Sequence, residues 1–149
     1  CSDSRVPPEL LFGRGLGELF IVRNAGNTVD TTAMGSLEFA VDVLKVPLIV
    51  IMGHEACGAV QAAVSVVKDH TVFKGSIGRM IEPIIPAVIE SGSDDVNSAV
   101  RQNVRRIVRR LRTDAGPVLL EPQARGELKV VGAYYSLKSG EVDFFDVPE

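Results

Sequence analysis

The chain has 149 residues and a mass of 16.0 kDa, a length that suits one domain burying roughly two-thirds of its unfolded surface. Hydrophobic residues make up 46% and charged residues 23%, with a net charge of −3 and a pI of about 5.4, so composition excludes disorder and argues against general affinity for nucleic acid or anionic lipid. No apolar run reaches the ~18 residues of a membrane-spanning helix, so no membrane segment is expected.

In chain order, Cys1-Ser2-Asp3-Ser4-Arg5 reads as a loop, because short polar side chains bond the nearby backbone in preference to helix or ladder. Pro7 and Pro8 stiffen it, and a short helical turn over 9–12 leads into a glycine-rich connector at 13–17. Those glycines are set aside as a phosphate cradle, since a strand rather than a helix is expected to follow them. That strand is the apolar run 19–22, ending in the turn-rich Arg23-Asn24-Ala25-Gly26-Asn27. Thr31 or Thr32 is positioned to cap a helix running to about Lys45, with Leu37, Ala40, Val41 and Leu44 on one face.

Pro47 closes that helix, and 48–52 is an unbroken apolar run, the pattern of a strand buried on both faces of a parallel sheet. Gly53 ends the strand. Residues 56–67 carry apolar side chains at 56, 60, 63, 64 and 67, the period of an amphipathic helix. Strand, helix, strand, helix is the signature of a parallel crossover, whose ligands collect at the carboxyl edge of the strands.

Residues 68–78 form a polar loop, and 77–89 is an apolar helical stripe kinked or split by Pro83 and Pro86. Ser91 to Asp95 supplies an N-cap for a helix over 96–112, whose apolar face is Val100, Val104, Ile107, Val108 and Leu111. Its remaining surface is basic, with Arg101, Arg105, Arg106, Arg109, Arg110 and Arg112. That surface could touch a polyanion, but no aromatic is interleaved and the chain is acidic, so a solvated or subunit-facing surface is the better reading. Pro117 and Pro122 leave room for a turn or two of helix before strands at 127–135 and 141–145, joined as a hairpin. The expected fold is α/β: a mostly parallel central sheet flanked by helices, with an antiparallel C-terminal edge hairpin, in one domain over 1–149.

The chemistry concentrates at residues 53–58. His54 and Cys57, three apart in a strand-to-helix turn, offer an imidazole and a thiolate, ligands that zinc prefers. Alone, the pair reads more plainly as a capping histidine beside a buried cysteine. Cys1 is the other cysteine of the chain. The two could form a disulfide, but a histidine three residues from one of them favours metal ligation. Cys1, His54 and Cys57 would make a Cys2His set with one position open, as a catalytic zinc site requires. His70, in a polar loop away from these motifs, is read as a surface residue.

The run C-S-D-S-R-V-P-P-E, followed by G-H-E-A-C-G-A, resembles the β-class carbonic anhydrases. The stretch 19–27, residues 38–41 and Val131-Gly132-Ala133-Tyr134-Tyr135 fit the same family, so the resemblance spans nearly the whole chain. It implies one Zn2+ held by Cys1, His54 and Cys57, and zinc-dependent reversible hydration of carbon dioxide to bicarbonate and a proton. It further implies an Asp3–Arg5 dyad, in which the arginine holds the carboxylate by paired hydrogen bonds and the carboxylate orients the attacking hydroxide. In some members the aspartate instead becomes the fourth ligand in a closed state, a role open to Asp3. The resemblance also implies a homodimer or tetramer, which the mean hydropathy of +0.19 allows. The family has helices and a strand ahead of this cysteine, so the chain is expected to lack them. The cytoplasm is the expected compartment; a periplasmic or organellar one stays open because a leader would lie upstream. Two other functions remain alternatives: a zinc-binding but catalytically silent structural or regulatory protein, and an arginine-helix polyanion-binding module.

Overall fold

A computed structural model describes residues 1–148. Its helices are α1 (Pro8–Leu11), α2 (Thr31–Asp42), α3 (Gly58–Asp69), α4 (Ser76–Ile81), α5 (Ile85–Ser91), α6 (Val96–Thr113) and α7 (Pro117–Ala124). Its strands are β1 (Leu48–His54), β2 (Lys129–Tyr135) and β3 (Val142–Asp146), forming one mixed sheet in the order β1-β2-β3. β1 and β2 run parallel, with His54 opposite Tyr135, and β3 returns antiparallel to β2 with a register shift at Gly132/Ala133. The α/β class and the edge hairpin therefore hold.

The expected strand at 19–22 does not form: these residues have no regular secondary structure and lie outside the sheet. An apolar run becomes a strand only where a partner edge accepts its backbone, and here an open cavity of about 510 Å³ separates 19–24 from β1. That cavity also explains why β1 is not buried on both faces. Ile49 and Ile51 are buried, whereas Leu48, Val50 and Met52 alternate with them at higher exposure.

Helix ends follow side-chain chemistry. The cap of α2 is Asp30, not Thr31 or Thr32: its Oδ1 accepts from the Ala33 amide at 2.8 Å. α2 also stops at Asp42, short of Lys45, which adopts a left-handed φ of 57°. α3 starts two residues later than expected, because Ala56 is left-handed at φ 52° and Cys57 is the N-cap. His70 is exposed and closes α3 with φ 54°. The two prolines do split the 77–89 stripe, into α4, a 3-10 turn over Glu82–Ile84, and α5.

α6 organises the interior. Asp95 caps it by accepting from the amides of Asn97 and Ser98, and its apolar face divides between two clusters. Val104, Val108 and Leu111 pack with Ile49, Ile51 and Leu119, while Ala99 and Val100 pack with Val60, Ile84 and Val88. Gly53 permits this approach: a Cβ there would sit 2.5 Å from Val100 Cγ1 and 3.0 Å from Val104 Cγ2. α6 thus lies flat across the end of β1, one residue before His54.

The basic side of α6 is largely engaged within the chain. Arg101 pairs with Asp143 at 2.8 Å and stacks over Tyr134 at 4.2 Å, and Arg105 lies 5.0 Å over the Phe145 ring. Arg106 pairs with Glu90, Arg110 donates to the Val29 carbonyl, and Arg112 donates to the Val130 carbonyl and to Asp146. No helix among the described residues is long and apolar enough to cross a membrane.

Candidate metal centre

The end of β1 and the start of α3 place His54 and Cys57 on one turn. His54 is the last strand residue, fully buried, and its Nδ1 lies 2.9 Å from the Glu55 carbonyl. Only Nδ1–H can donate to that oxygen, so Nε2 carries the free lone pair. Burial pulls the His54 pKa below its usual value, keeping the ring neutral near pH 7. Cys57, also buried, caps α3, so the positive end of that helix faces the site.

The 1–5 loop is brought to this turn by Arg23, whose Nε donates to the Cys1 carbonyl at 3.0 Å and whose Nη2 donates to the Asp3 carbonyl at 2.7 Å. Ser2 N–H donates to the Asn24 carbonyl at 2.9 Å, and Val6, 1% exposed, anchors the far end. Cys1 Sγ then stands 4.0 Å from Cys57 Sγ, and both cysteines are free thiols. The Gly26 amide donates to Cys1 Sγ at 3.3 Å.

Asp3 is gripped by Arg5 through three bonds: Arg5 N and Nε donate to Oδ1, both at 2.9 Å, and Nη2 donates to Oδ2 at 2.7 Å. These bonds hold the Asp3 carboxyl well below the usual carboxylate range and push the Arg5 guanidinium up. Arg5 Nη2 also reaches the Ala56 carbonyl at 3.4 Å, tying the pair to the turn. Asp3 Oδ2 lies 4.0 Å from His54 Nε2.

The donor atoms of Cys1, His54 and Cys57 all fall within 4.8 Å of one another. Tetrahedral zinc, with Zn–S near 2.3 Å and Zn–N near 2.0 Å, sets such donors about 3.5–3.8 Å apart, so small movements close this set around an ion. His54 Nε2 is buried with no hydrogen-bond partner among the described residues, a costly state that a metal relieves. Two soft sulfurs and an imidazole suit zinc better than a hard cation such as magnesium. The residues present therefore fit a bound metal.

All five residues expected at the site, Cys1, Asp3, Arg5, His54 and Cys57, converge. Arg23 was not singled out by sequence reasoning, although a lone arginine at the end of an apolar run is the available signal. Glu55 was also passed over. Its carboxylate accepts from Ser136 Oγ and the Lys138 amide, both at 3.1 Å, and so ties the β2–β3 turn to the residue beside His54.

A family model described as carbonic anhydrase matches residues 1–142. The chain is 38% identical over 146 residues to a carbonic anhydrase of Mycolicibacterium smegmatis, covering 96% of this chain and 70% of that protein. It is 39% identical over 143 residues to carbonic anhydrase 2 of Mycobacterium tuberculosis, covering 94% and 69%. Among solved structures it resembles a β-carbonic anhydrase of Sordaria macrospora described as tetrameric, with TM-score 0.88 and 27% identity, covering 97% of this chain and 77% of that one. It also resembles the Coccomyxa β-carbonic anhydrase in complex with acetazolamide, with TM-score 0.83 and 33% identity, covering 97% and 68%.

Proposed function

The chain belongs to the β-class carbonic anhydrases, and from that membership we propose that it catalyses zinc-dependent reversible hydration of carbon dioxide, with Cys1, His54 and Cys57 holding the metal and Asp3 and Arg5 orienting the reaction. The observation that carries this reading is His54 Nε2, buried, unpartnered among the described residues and aimed toward two thiols and a carboxylate. Zinc, when bound, supplies the Lewis acidity that brings the ionisation of water from about 15.7 to about 7.

Two thiolates and a neutral imidazole would cancel the charge of a divalent ion, which by itself weakens the acidification of a bound water relative to an all-histidine set. Asp3 acts instead as a hydrogen-bond acceptor. Held by Arg5 far on the ionised side, it is too weak a base to retain the proton released in hydration. It accepts a hydrogen bond from the attacking oxygen and fixes which lone pair faces carbon dioxide. Arg5 keeps both carboxylate oxygens in place, and its bond to the Ala56 carbonyl holds that orientation relative to the His54–Cys57 turn. Held in the guanidinium fork, Asp3 would not compete with water and substrate for a bound metal. The proton passes to solvent.

We also propose assembly as a homodimer or tetramer. Phe20 and Phe39, with ring centroids 6.4 Å apart, are exposed together with Val43 and Leu44, and such a surface favours a protein partner over water. Sedimentation showing a concentration-independent monomer would remove this part of the proposal.

Stopped-flow hydration of carbon dioxide by the zinc-loaded and chelator-treated protein tests the activity. Hydration that follows zinc content is expected. Stoichiometric zinc without hydration would instead identify a catalytically silent member of the family.

A further inference from the structure

His54 and Asn103 are the polar side chains buried among the described residues, and only the first has been given a role. Asn103 lies on the core-facing side of α6 between Val100 and Val104, 2% exposed. A leucine there would continue the apolar stripe, and burying an amide costs free energy unless it is bonded. Its Nδ2 donates to the carbonyl of Gly26 at 3.0 Å, across 77 residues of sequence.

Gly26 is the residue whose amide donates to Cys1 Sγ at 3.3 Å. It is left-handed, φ 75°, inside the turn Ala25–Asn27. A Cβ there would meet Ile84 Cδ1 at 2.5 Å and Ala59 Cβ at 3.2 Å, so the residue is wedged against its neighbours. Of the two peptide groups flanking its Cα, one points its N–H at the sulfur and the other its carbonyl at Asn103. The two peptides meet at the Gly26 Cα, which is wedged in place, so holding the carbonyl side restricts how the amide side can turn.

Resting on the ligand set proposed above, we propose that Asn103 is a positioning residue for the metal centre: it locks the Gly26 peptides so that the Gly26 amide donates to the Cys1 sulfur when that sulfur holds the metal. A hydrogen bond to a ligating thiolate draws electron density from it and fixes its direction, as outer partners of metal ligands generally do. α6 is thereby connected to the ligand contributed by the 1–5 loop, which has no regular secondary structure of its own to hold it.

The test uses the protein loaded with cadmium-113 or cobalt(II). In the wild type, the Gly26 amide proton should show a scalar coupling to cadmium-113 through the N–H···S bond. In Asn103→Leu, similar in size but without a donor, that coupling should vanish. Cobalt affinity should fall about 10- to 100-fold, and the thiolate-to-cobalt charge-transfer band should move to longer wavelength, because a thiolate freed of its hydrogen bond gives up an electron more easily. A role confined to folding would lower the melting temperature of the metal-free protein while leaving metal affinity, spectrum and coupling unchanged. Should Asn103→Leu not fold, Asn103→Ala, which leaves room for water at the Gly26 carbonyl, is read by the same criteria. Wild type that takes up neither metal overturns the ligand set and this inference with it. Uptake without coupling to Gly26, or a folded variant with wild-type affinity and spectrum, overturns this inference alone.

Discussion

Asp3→Asn separates orientation from metal binding. In the wild type both carboxylate oxygens accept, Oδ1 from Arg5 N and Nε and Oδ2 from Arg5 Nη2, at 2.9, 2.9 and 2.7 Å. An asparagine in the same place must turn its NH2 group toward one of these sets. Either choice sets donor against donor at a distance where an acceptor had been, so the amide swings away or Arg5 does. The site then loses the acceptor that orients the attacking oxygen, while Cys1, His54 and Cys57 are untouched. Loss of a positioned group of this kind costs about 10²-fold or more, which is about 2.7 kcal/mol of barrier. Stopped-flow hydration on protein of measured zinc content reads this directly. The expected result is full zinc with a rate at least about a hundredfold lower; full zinc with a wild-type rate would refute the role given to Asp3.

Gly53→Ala should destabilise the fold by about 1–3 kcal/mol, because the added methyl meets Val100 and Val104 at 2.5 and 3.0 Å; urea midpoints measure it, and an unchanged midpoint would contradict the packing of α6 on β1. For the metal-free protein, burial holds the folded pKa of His54 below its unfolded value of about 6.5. The unfolded chain therefore binds a proton at His54 that the folded chain refuses, and this contribution to stability is lost as pH falls from about 6.5 through the lower folded value. Denaturation midpoints at several pH values should show that decline, smaller in His54→Gln; equal declines in both proteins would assign it to other groups.

Much of the site was legible because its residues interrupt strong patterns. Gly53 and His54 end an apolar run, and the amphipathic period resumes just beyond Cys57, so a strand-to-helix turn is the simplest way to fold them. Local pattern shows 1–5 as a loop, and the family resemblance puts Cys1, Asp3 and Arg5 beside the turn; how the loop is held there depends on Arg23, whose long-range bonds to the Cys1 and Asp3 carbonyls leave no mark on local periodicity. The run at 19–22 looked like a strand because β-propensity describes a side chain's fit to a half-buried pleated surface, not whether a partner edge exists. Asp30, Thr31 and Thr32 are all capping types standing side by side, and only the backbone angle at Asp30 decides among them. Asn103 escaped notice because reading a helix by its apolar positions passes over the polar residue set among them.

Metal content per chain in the wild type and in Cys57→Ala tests whether Cys1, His54 and Cys57 hold the metal. Cys57 is buried, caps α3 and stands 4.0 Å from Cys1 Sγ, so its loss removes one of the proposed donors while leaving Cys1 and His54 to bind weakly. One zinc per wild-type chain is expected, with little or none in folded Cys57→Ala. Full stoichiometric zinc in that variant would contradict this ligand set.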